Sequence, residues 1–504
     1  MRRPSNRHEA DAYPMRVRKN RRMEMPLHRS TRYLAVVACL ALAAPAANAQ
    51  GFGINEIGSC AASRSFAVTG SPCKDASAIF WNPGATVGGT KGWSILAGAA
   101  AIVIDGSFTQ DTTFREYKGD VPTAIVPHVF VNYQPANSKL AYGLGVYVPY
   151  GLTSQWTDSF PGRFLAKKAA LQAIYIQPNI AYQINSNWSV GGGPVIGRSS
   201  IELVQGIDLS TQVAATTPST ITFANLGIPT RTEFGRATLK GDAIGYGVHI
   251  GLFGKPASDW TVGVRFLTAL DFDYSGSKAT FAQVNTGITL PPGNPICFPA
   301  GTNPICGGNP NATVAIDALV APQFAAGGAL VAQDVSTKIT NPAQVQGGFG
   351  YSGFKDWLVS ADYAWTGWRR FRELPITFAG PASGSNRVLI EDYNNTSSFR
   401  LSAQRAFTGG AQLRFGFAGV ASAAPDETVT PLLPEQDRSY ASIGGEYPLM
   451  KNLSIEGAYL RVMAPGKRGR IDERTTRTQT AATLNSGKYE LSANVFSLSL
   501  KANY

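Results

Sequence analysis

Asp75-Ala76-Ser77-Ala78-Ile79-Phe80-Trp81-Asn82-Pro83-Gly84-Ala85 closes a stretch, begun at Gly51, that is apolar, rich in small residues and free of alternation. Nearly everything after it alternates apolar and polar at period two, in strand-sized pieces broken by turns. A compact non-strand segment followed by a long array of two-faced strands predicts a plug inside a barrel.

The alternation is clean in several places. Leu140, Tyr142, Leu144, Val146 and Val148 oppose Ala141, Gly143, Gly145 and Tyr147, and Ile244, Tyr246, Val248, Ile250 and Leu252 oppose Gly245, Gly247, His249 and Gly251. One face suits lipid and the other is small or polar, but a soluble sandwich gives the same period. Three features favour a membrane barrel. Short turns such as 135–138, 185–187, 256–259 and 450–452 take turns with long loops. Trp188, Trp260, Trp357 and Tyr447 sit beside short turns, where a periplasmic aromatic girdle belongs. The chain ends on an alternating segment with Phe496, Leu498, Leu500, Ala502 and Tyr504 on one face.

The fold class is therefore all-β, a transmembrane antiparallel β-barrel of about fourteen strands with an N-terminal hatch in its lumen. The strands are expected at 92–104, 127–135, 139–149, 169–185, 188–204, 239–254, 260–274, 342–354, 357–370, 391–406, 410–423, 437–448, 452–464 and 488–504. An even number fits single-chain barrels. Such a barrel is too wide for its own side chains to fill, so residues 50–90 are the expected filler and 91–504 the barrel. No run of about 18 apolar residues predicts a membrane-spanning helix.

Residues 1–49 read as a secretory signal with a long basic extension: an arginine-rich tract, the apolar run Tyr33 to Ala44, and Ala47-Asn48-Ala49 before Gln50. Met1, Met23 and Met25 all stand as starts. This segment inflates the formal charge of +12; the rest carries 35 basic and 30 acidic residues. That balance, with no basic block interleaved with aromatics, gives no support to nucleic acid as a partner. Cys60, Cys73, Cys297 and Cys306 remain after cleavage, an even number that favours disulfides in an exported chain. Three connectivities exist, the local one, Cys60–Cys73 with Cys297–Cys306, being the most economical. Zinc is disfavoured: the only histidines left, His128 and His249, lie far from any cysteine in sequence.

The two longest outer loops, 205–238 and 275–341, are apolar rather than charged. They carry Ile221, Phe223, Leu226 and Ile228, and Ile296, Phe298, Val314 to Val320 and the run Phe324 to Val331 with Leu330. Such residues at a wet surface need a reason: they pack on one another over the mouth, or form a greasy groove for an apolar ligand. Both readings hold together.

Ala61-Ala62-Ser63-Arg64-Ser65-Phe66-Ala67 and Asp75 to Pro83 open a series of matches. It continues with Pro149-Tyr150-Gly151-Leu152, Val264-Arg265-Phe266 before Asp271-Phe272-Asp273, and Ala364-Trp365-Thr366-Gly367-Trp368. Leu413-Arg414-Phe415-Gly416, Leu433-Pro434-Glu435-Gln436-Asp437-Arg438 and Gly444-Gly445-Glu446-Tyr447 complete it. In this order and spacing the chain resembles the FadL-type outer-membrane transporters of long-chain fatty acids and other hydrophobic compounds, over essentially all of 51–504. The resemblance implies passive uptake across the outer membrane of a Gram-negative bacterium: capture between the two long loops, an apolar site beside the hatch, and lateral release. Release follows hatch movement at a kinked third strand, 139–149, where Gly143 and Gly145 suit distortion. Two departures stand out. Gly84 replaces the usual alanine of the hatch's Asn-Pro-Ala motif, which predicts a looser tip. The four cysteines are not a general feature, and a Cys60–Cys73 bridge would limit unfolding of the hatch.

Such uptake needs no catalytic residue, cofactor or metal. It needs an apolar path, worth about 0.8 kcal/mol per buried CH₂, and for a fatty acid a cation or donors for its carboxylate. By parity Arg265, Arg400 and Arg414 face the lumen, and the bland alternative is a structural ladder with Asp362, Glu446 and Glu456. Phe80 and Trp81 either line the ligand site or wedge the hatch, while Asn82-Pro83-Gly84 is a closing turn to which the resemblance adds a gating role. A general diffusion porin and an outer-membrane lipid-modifying enzyme are the rivals. The occluding segment opposes the first; the absence of a G-x-S-x-G elbow opposes the second. The expected partners are a hydrophobic small molecule, outer-membrane lipid and lipopolysaccharide, with the chain acting as a monomer.

Overall fold

Lipid offers a strand no hydrogen-bond partner, so the two-faced strands must pair into a ring. In the computed structural model, which describes residues 51–215, 220–298, 303–469 and 484–504, they do. Residues 1–49, read above as a secretory signal, lie outside the described residues. Fourteen strands form the wall: β1 (Gly92–Gln110), β2 (Ala124–Gln134), β3 (Leu140–Gln155), β4 (Lys168–Gln183), β5 (Trp188–Asp208), β6 (Glu233–Ala257), β7 (Trp260–Leu267), β8 (Gln344–Tyr351), β9 (Trp357–Thr366), β10 (Thr396–Ala406), β11 (Gln412–Val420), β12 (Arg438–Met450), β13 (Leu453–Met463) and β14 (Gly487–Asn503). Each pairs antiparallel with the next, and β14 pairs with β1 from Gly487↔Gln110 to Asn503↔Ser94. The seam ends where Trp93 and Tyr504 exchange two backbone bonds of 2.9 Å. Gly92 starts β1 at φ +86, where a Cβ would lie 2.0 Å from the Tyr504 carbonyl, so only glycine fits that corner.

The parity reading holds. Ile244, Tyr246, Val248, Ile250 and Leu252 are exposed on the outer face, while His249 and Gly251 between them are buried. No helix among the described residues is long and apolar enough to cross a membrane.

Residues 51–87 fill the lumen as short pieces, chiefly α1 (Ser59–Ser63), α2 (Ala78–Trp81) and the 3-10 turn Pro83–Thr86. The Cys60–Cys73 bridge forms, enclosing Ser65 (φ 44) and Phe66 (φ 68) in left-handed conformations. What seats this segment is glycine in the wall. A Cβ on Gly251 would meet Asn82 Oδ1 at 2.5 Å, one on Gly191 the Pro83 carbonyl at 2.4 Å, and one on Gly263 the Thr69 carbonyl at 2.2 Å. Ser189 Oγ donates to the Gly84 carbonyl at 2.7 Å. Gly84 is thus not a loose tip: it is buried, and a Cβ there would lie 2.6 Å from the Gly251 carbonyl. The missing methyl permits close docking.

Two departures from a regular wall matter. β3 loses register between Tyr147 and Tyr150, so Val148, expected on the lipid face, is buried. Gly143 and Gly145 pair regularly and are not the distortion; instead a Cβ on either would press on Ile79 of the hatch, at 2.7 and 3.2 Å. The second departure is at β7, which ends at Leu267 rather than continuing to 274. Leu270–Asp273 and Lys338–Asn341 form a separate two-stranded ribbon, whose Leu270 and Phe272 press on Gly197, Gly245 and Gly247 of the inner wall. The outer loops make a satellite core of their own: Phe223, Ile228, Phe234, Leu290, Ile296, Val314 and Val320 are buried together beside the Cys297–Cys306 bridge.

Replacing Gly251 by Val will displace the Asn82-Pro83 corner without unmaking the barrel. Heat-modifiable migration on gels should persist while steady conductance in planar bilayers rises above that of the unmodified protein; unchanged conductance would show that the corner does not seal the lumen.

Candidate functional site

Tyr147, Gln177, His249 and Arg265 all project inward from β3, β4, β6 and β7, because each stands on the lumen parity of its strand. They meet Phe80 of α2. Its ring centroid lies 4.8 Å from that of Tyr147 and 6.0 Å from that of His249, and Arg265 Cζ lies 4.6 Å from it. The Tyr147 hydroxyl donates to Gln177 Oε1, which His249 Nδ1 also meets at 3.0 Å, and Gln177 Nε2 donates to the Ile79 carbonyl. Trp81 Nε1 donates to the Ile57 carbonyl at 2.8 Å while its ring stacks on Phe66. Asn82 Nδ2 donates both to Thr69 within the hatch and to Leu252 of β6. Phe80, Trp81 and Asn82 are therefore fixed in the lumen, at the junction of hatch and wall.

The three arginines separate. Arg414 is neutralised: its Nη2 lies 2.8 Å from Glu446 and 3.4 Å from Glu456, with Lys501 completing a balanced group of two cations and two anions. That is the structural ladder. Arg265 instead meets neutral acceptors, Gln344 Oε1 at 3.0 Å and Gln346 Oε1 at 2.9 Å, and forms no ion pair among the described residues. Its Nη1 is buried without a hydrogen-bond partner. Arg400 is intermediate, reaching Ser398 and the Phe66 carbonyl. Asp362 is engaged by the backbone N–H groups of Thr69 and Gly70.

Beside this cluster the wall is interrupted. β2 pairs with β3 only from Tyr133↔Tyr142 to Val129↔Val146, although β2 continues along β1 to Ala124. Above the interruption the Gly119↔Trp156 bridge closes the wall again. The result is a window, and a cavity of about 650 Å³ runs into it, lined by Val126, Val148 and Leu152 on the wall and by Ile54, Leu433 and Tyr440 inside. On the inner side Gly51–Ile54 adds to β3: Ile54 N donates to Pro149 and Gly151 N to Phe52, each at 2.9 Å, flanking a Gly53↔Tyr150 bridge. Phe52 is held at 4.6 Å from Trp368 and 5.4 Å from Phe371, with Tyr150 beyond. Glu391 is buried in the β9–β10 connection, which also carries Trp368 and Phe371, and burial pushes its carboxyl up to about 8.

Sequence reasoning singled out Phe80, Trp81, Asn82 and Arg265, which the structure brings together; Gly143 and Gly145 lie one shell out, under Ile79. The loop residues stand apart in the satellite core, Phe223 buried and Leu226, Phe324 and Leu330 packed on it, with Ile221 half-buried. Phe52, Tyr147, Tyr150, Gln177 and Trp368 were missed. The inward parity of Tyr147 and Gln177 was the available signal. The hydroxyl of Ser499 meets His128 Nε2 at 2.9 Å, but it also bonds Ser59 and His128 Nδ1 is unpartnered, so no carboxylate orients a catalytic pair.

A closed, antiparallel ring of fourteen strands with apolar residues on its outer face defines an outer-membrane β-barrel protein. The chain belongs to the family described as outer membrane protein transport protein (OMPP1/FadL/TodX), whose model matches residues 40–504. It is 26% identical over 457 residues to the 47 kDa outer membrane protein of Pasteurella multocida, covering 89% of this chain and 95% of that one. It is also 26% identical over 434 residues to the long-chain fatty acid transport protein of Escherichia coli O6:H1, covering 84% and 89%. Among solved structures, a Pseudomonas aeruginosa FadL homologue shares the fold at TM-score 0.68 with 22% identity, over 90% of this chain and all of that one. The Pseudomonas putida toluene transporter TodX shares it at 0.59 with 15% identity, over 90% of this chain and 100% of that one.

Arg414→Gln will leave two buried carboxylates facing one lysine. The expected loss is about 3–5 kcal/mol of unfolding free energy in detergent, read from urea transitions; a loss below about 1 kcal/mol would mean that the ion-paired group does not hold β11 to β12 and β13.

Proposed function

We propose that the protein takes up hydrophobic small molecules from outside the cell, holds them beside Phe80 and Trp81, and releases them sideways through the window between β2 and β3. The observation that carries the sideways route is the 650 Å³ cavity that joins the lumen to the wall where β3 loses register. An apolar chain leaving there passes from lumen to lipid without crossing the polar turns at the periplasmic end. The closing element is Gly51–Ile54, whose two hydrogen bonds to β3 occupy the backbone at the kink.

Relatives named for long-chain fatty acids and for toluene bracket the ligand class. In this reading the satellite core of the loops 205–238 and 275–341, with Ile221, Phe223, Leu226, Phe324 and Leu330, receives the ligand, and Arg265 and Arg400 meet its polar end. Arg414 does not, because its charge is already matched. The chain works as a monomer in outer-membrane lipid, since a closed ring leaves no strand edge to share. Paired charges at the outer ends of the lipid-facing strands, Lys168 and Lys240 with Glu202 and Arg198 with Asp242, suit contact with lipopolysaccharide.

Cysteines at Gly53 and Tyr150 occupy a bridge pair and will lock the closing element onto β3 when oxidised. Uptake of labelled oleate and of toluene by cells carrying only this variant should fall at least tenfold and return on reduction. Equal uptake in both redox states would overturn the sideways route.

A further inference from the structure

The Cys60–Cys73 bridge of the hatch has a neighbour that a purely structural disulfide does not need. The two sulfurs and a carboxylate oxygen of Asp75 all lie within 4.8 Å of one another. Asp75 is 8% exposed; its Oδ1 accepts from the Ser77 N–H at 2.7 Å, whereas Oδ2 is buried without a hydrogen-bond partner. A carboxylate oxygen buried and left bare is costly. The outer bridge, Cys297–Cys306, has no such third group among the described residues. Nor do the hatch cysteines depend on their bond to stay close. Ser59 Oγ ties α1 to Ser497 and Ser499 of β14, and Ser63 Oγ donates to the Cys60 carbonyl at 2.8 Å. Arg64 spans the loop between them: Nη1 donates to the Ser71 carbonyl at 2.8 Å, and its other nitrogens reach Ser360 of β9 and Ser402 of β10. Both cysteines and Asp75 line a cavity of about 830 Å³ whose other walls include Asn185, Asn187 and Asp356 of the short turns at the periplasmic end.

We propose that Cys60, Cys73 and Asp75 are a zinc site that the intact bridge keeps closed and that reduction opens. A dithiol reductant exchanges with the bridge: its own two sulfurs become a disulfide, and Cys60 and Cys73 are left as thiols. Zn²⁺ then displaces one proton from each thiol and is held by two thiolates and the Asp75 carboxylate, with the fourth position left to water. Sulfur and oxygen donors of this kind suit zinc, and neither histidine of the barrel is needed. The Ser77 N–H on Oδ1 supplies the outer hydrogen bond that orients a ligating carboxylate. Arg64 and Arg414 line the same cavity, and a neighbouring cation favours the thiolate, the form that binds metal. The cavity is the way in for both reductant and ion. Neither the site nor its test depends on the sideways route.

Full-length protein in detergent is reduced with a phosphine, freed of reductant without oxygen, and titrated with Co²⁺, whose thiolate charge-transfer band reports sulfur ligation that spectroscopically silent zinc does not. The reduced protein is expected to develop that band and to lose it when Zn²⁺ displaces the cobalt; the oxidised protein should show none. Asp75→Asn keeps every cysteine and the acceptor for Ser77, and should weaken cobalt binding at least about tenfold, since even outer-shell partners of a metal are worth that much. Replacing Cys60 and Cys73 together by Ser, which spares the outer pair, should abolish the band. Heat-modifiable migration on gels checks that each variant is still a closed barrel. No band on the reduced unmodified protein would overturn the site, as would a band that survives loss of Cys60 and Cys73. Unaltered affinity in Asp75→Asn would remove the carboxylate from it and overturn the three-ligand assignment.

Discussion

Every other feature follows from the denial of hydrogen-bond partners by lipid. A strand in hydrocarbon must find both neighbours, so fourteen strands close on themselves and the seam between β14 and β1 is as regular as any other pair. Closure at this number leaves a lumen wider than side chains can fill. The hatch answers that vacancy, and it is fitted backbone to wall as well as side chain to side chain. Gly191, Gly251 and Gly263 bring the wall within reach of Thr69, Asn82 and Pro83. A wall studded with larger residues would have held the same segment at arm's length and leaked.

The same rule explains where the wall is allowed to fail. At the β3 kink, hydrogen bonds that β2 would have made are replaced by those of Gly51–Ile54, a segment from outside the ring. At that point the backbone bonding of the wall is completed by the hatch segment itself. The ribbon of Leu270–Asp273 and Lys338–Asn341 is the opposite case. It has left the wall but stays bonded to itself and pressed on glycines of β5 and β6, narrowing the chamber without opening it.

Strand number, parity and the lumen placement of Arg265, Arg400, Arg414, His128 and His249 were legible because burial on one face writes itself at period two. The ribbon was not, since Leu270-Asp271-Phe272-Asp273 alternates as well as any wall strand; alternation reports two unlike faces, not which sheet they belong to. Gly143, Gly145 and Gly84 read as points of freedom, yet each is a point of contact, because a sequence shows a missing side chain and not what has moved into its place. The kink falls instead at Val148-Pro149, where the alternation continues on paper and only the third dimension breaks it. Phe52 was invisible for a related reason: its cage draws Tyr150 from β3 and Trp368 and Phe371 from the β9–β10 connection, more than 200 residues apart.

The buried arginines show how one barrel treats like charges in unlike ways. Arg414 sits where β11, β12, β13 and β14 supply two carboxylates and a lysine, and the group closes on itself electrically. Such compensation makes a rigid patch, since moving any member strands the others. Arg64, Arg265 and Arg400 meet only hydroxyls, amides, carbonyls and rings within hydrogen-bond or ring-contact distance. The buried Asp362, held by the Thr69 and Gly70 N–H groups of the hatch, acts on all three through space without pairing with any of them. The hatch meets both kinds of ground: α2 lies against Arg265 beside β6 and β7, while α1 packs on β12 and β13 and bonds Ser497 and Ser499 of β14. Charge balance therefore separates the ground under α1, where the ions are paired, from that under α2, where Arg265 meets neutral acceptors and rings.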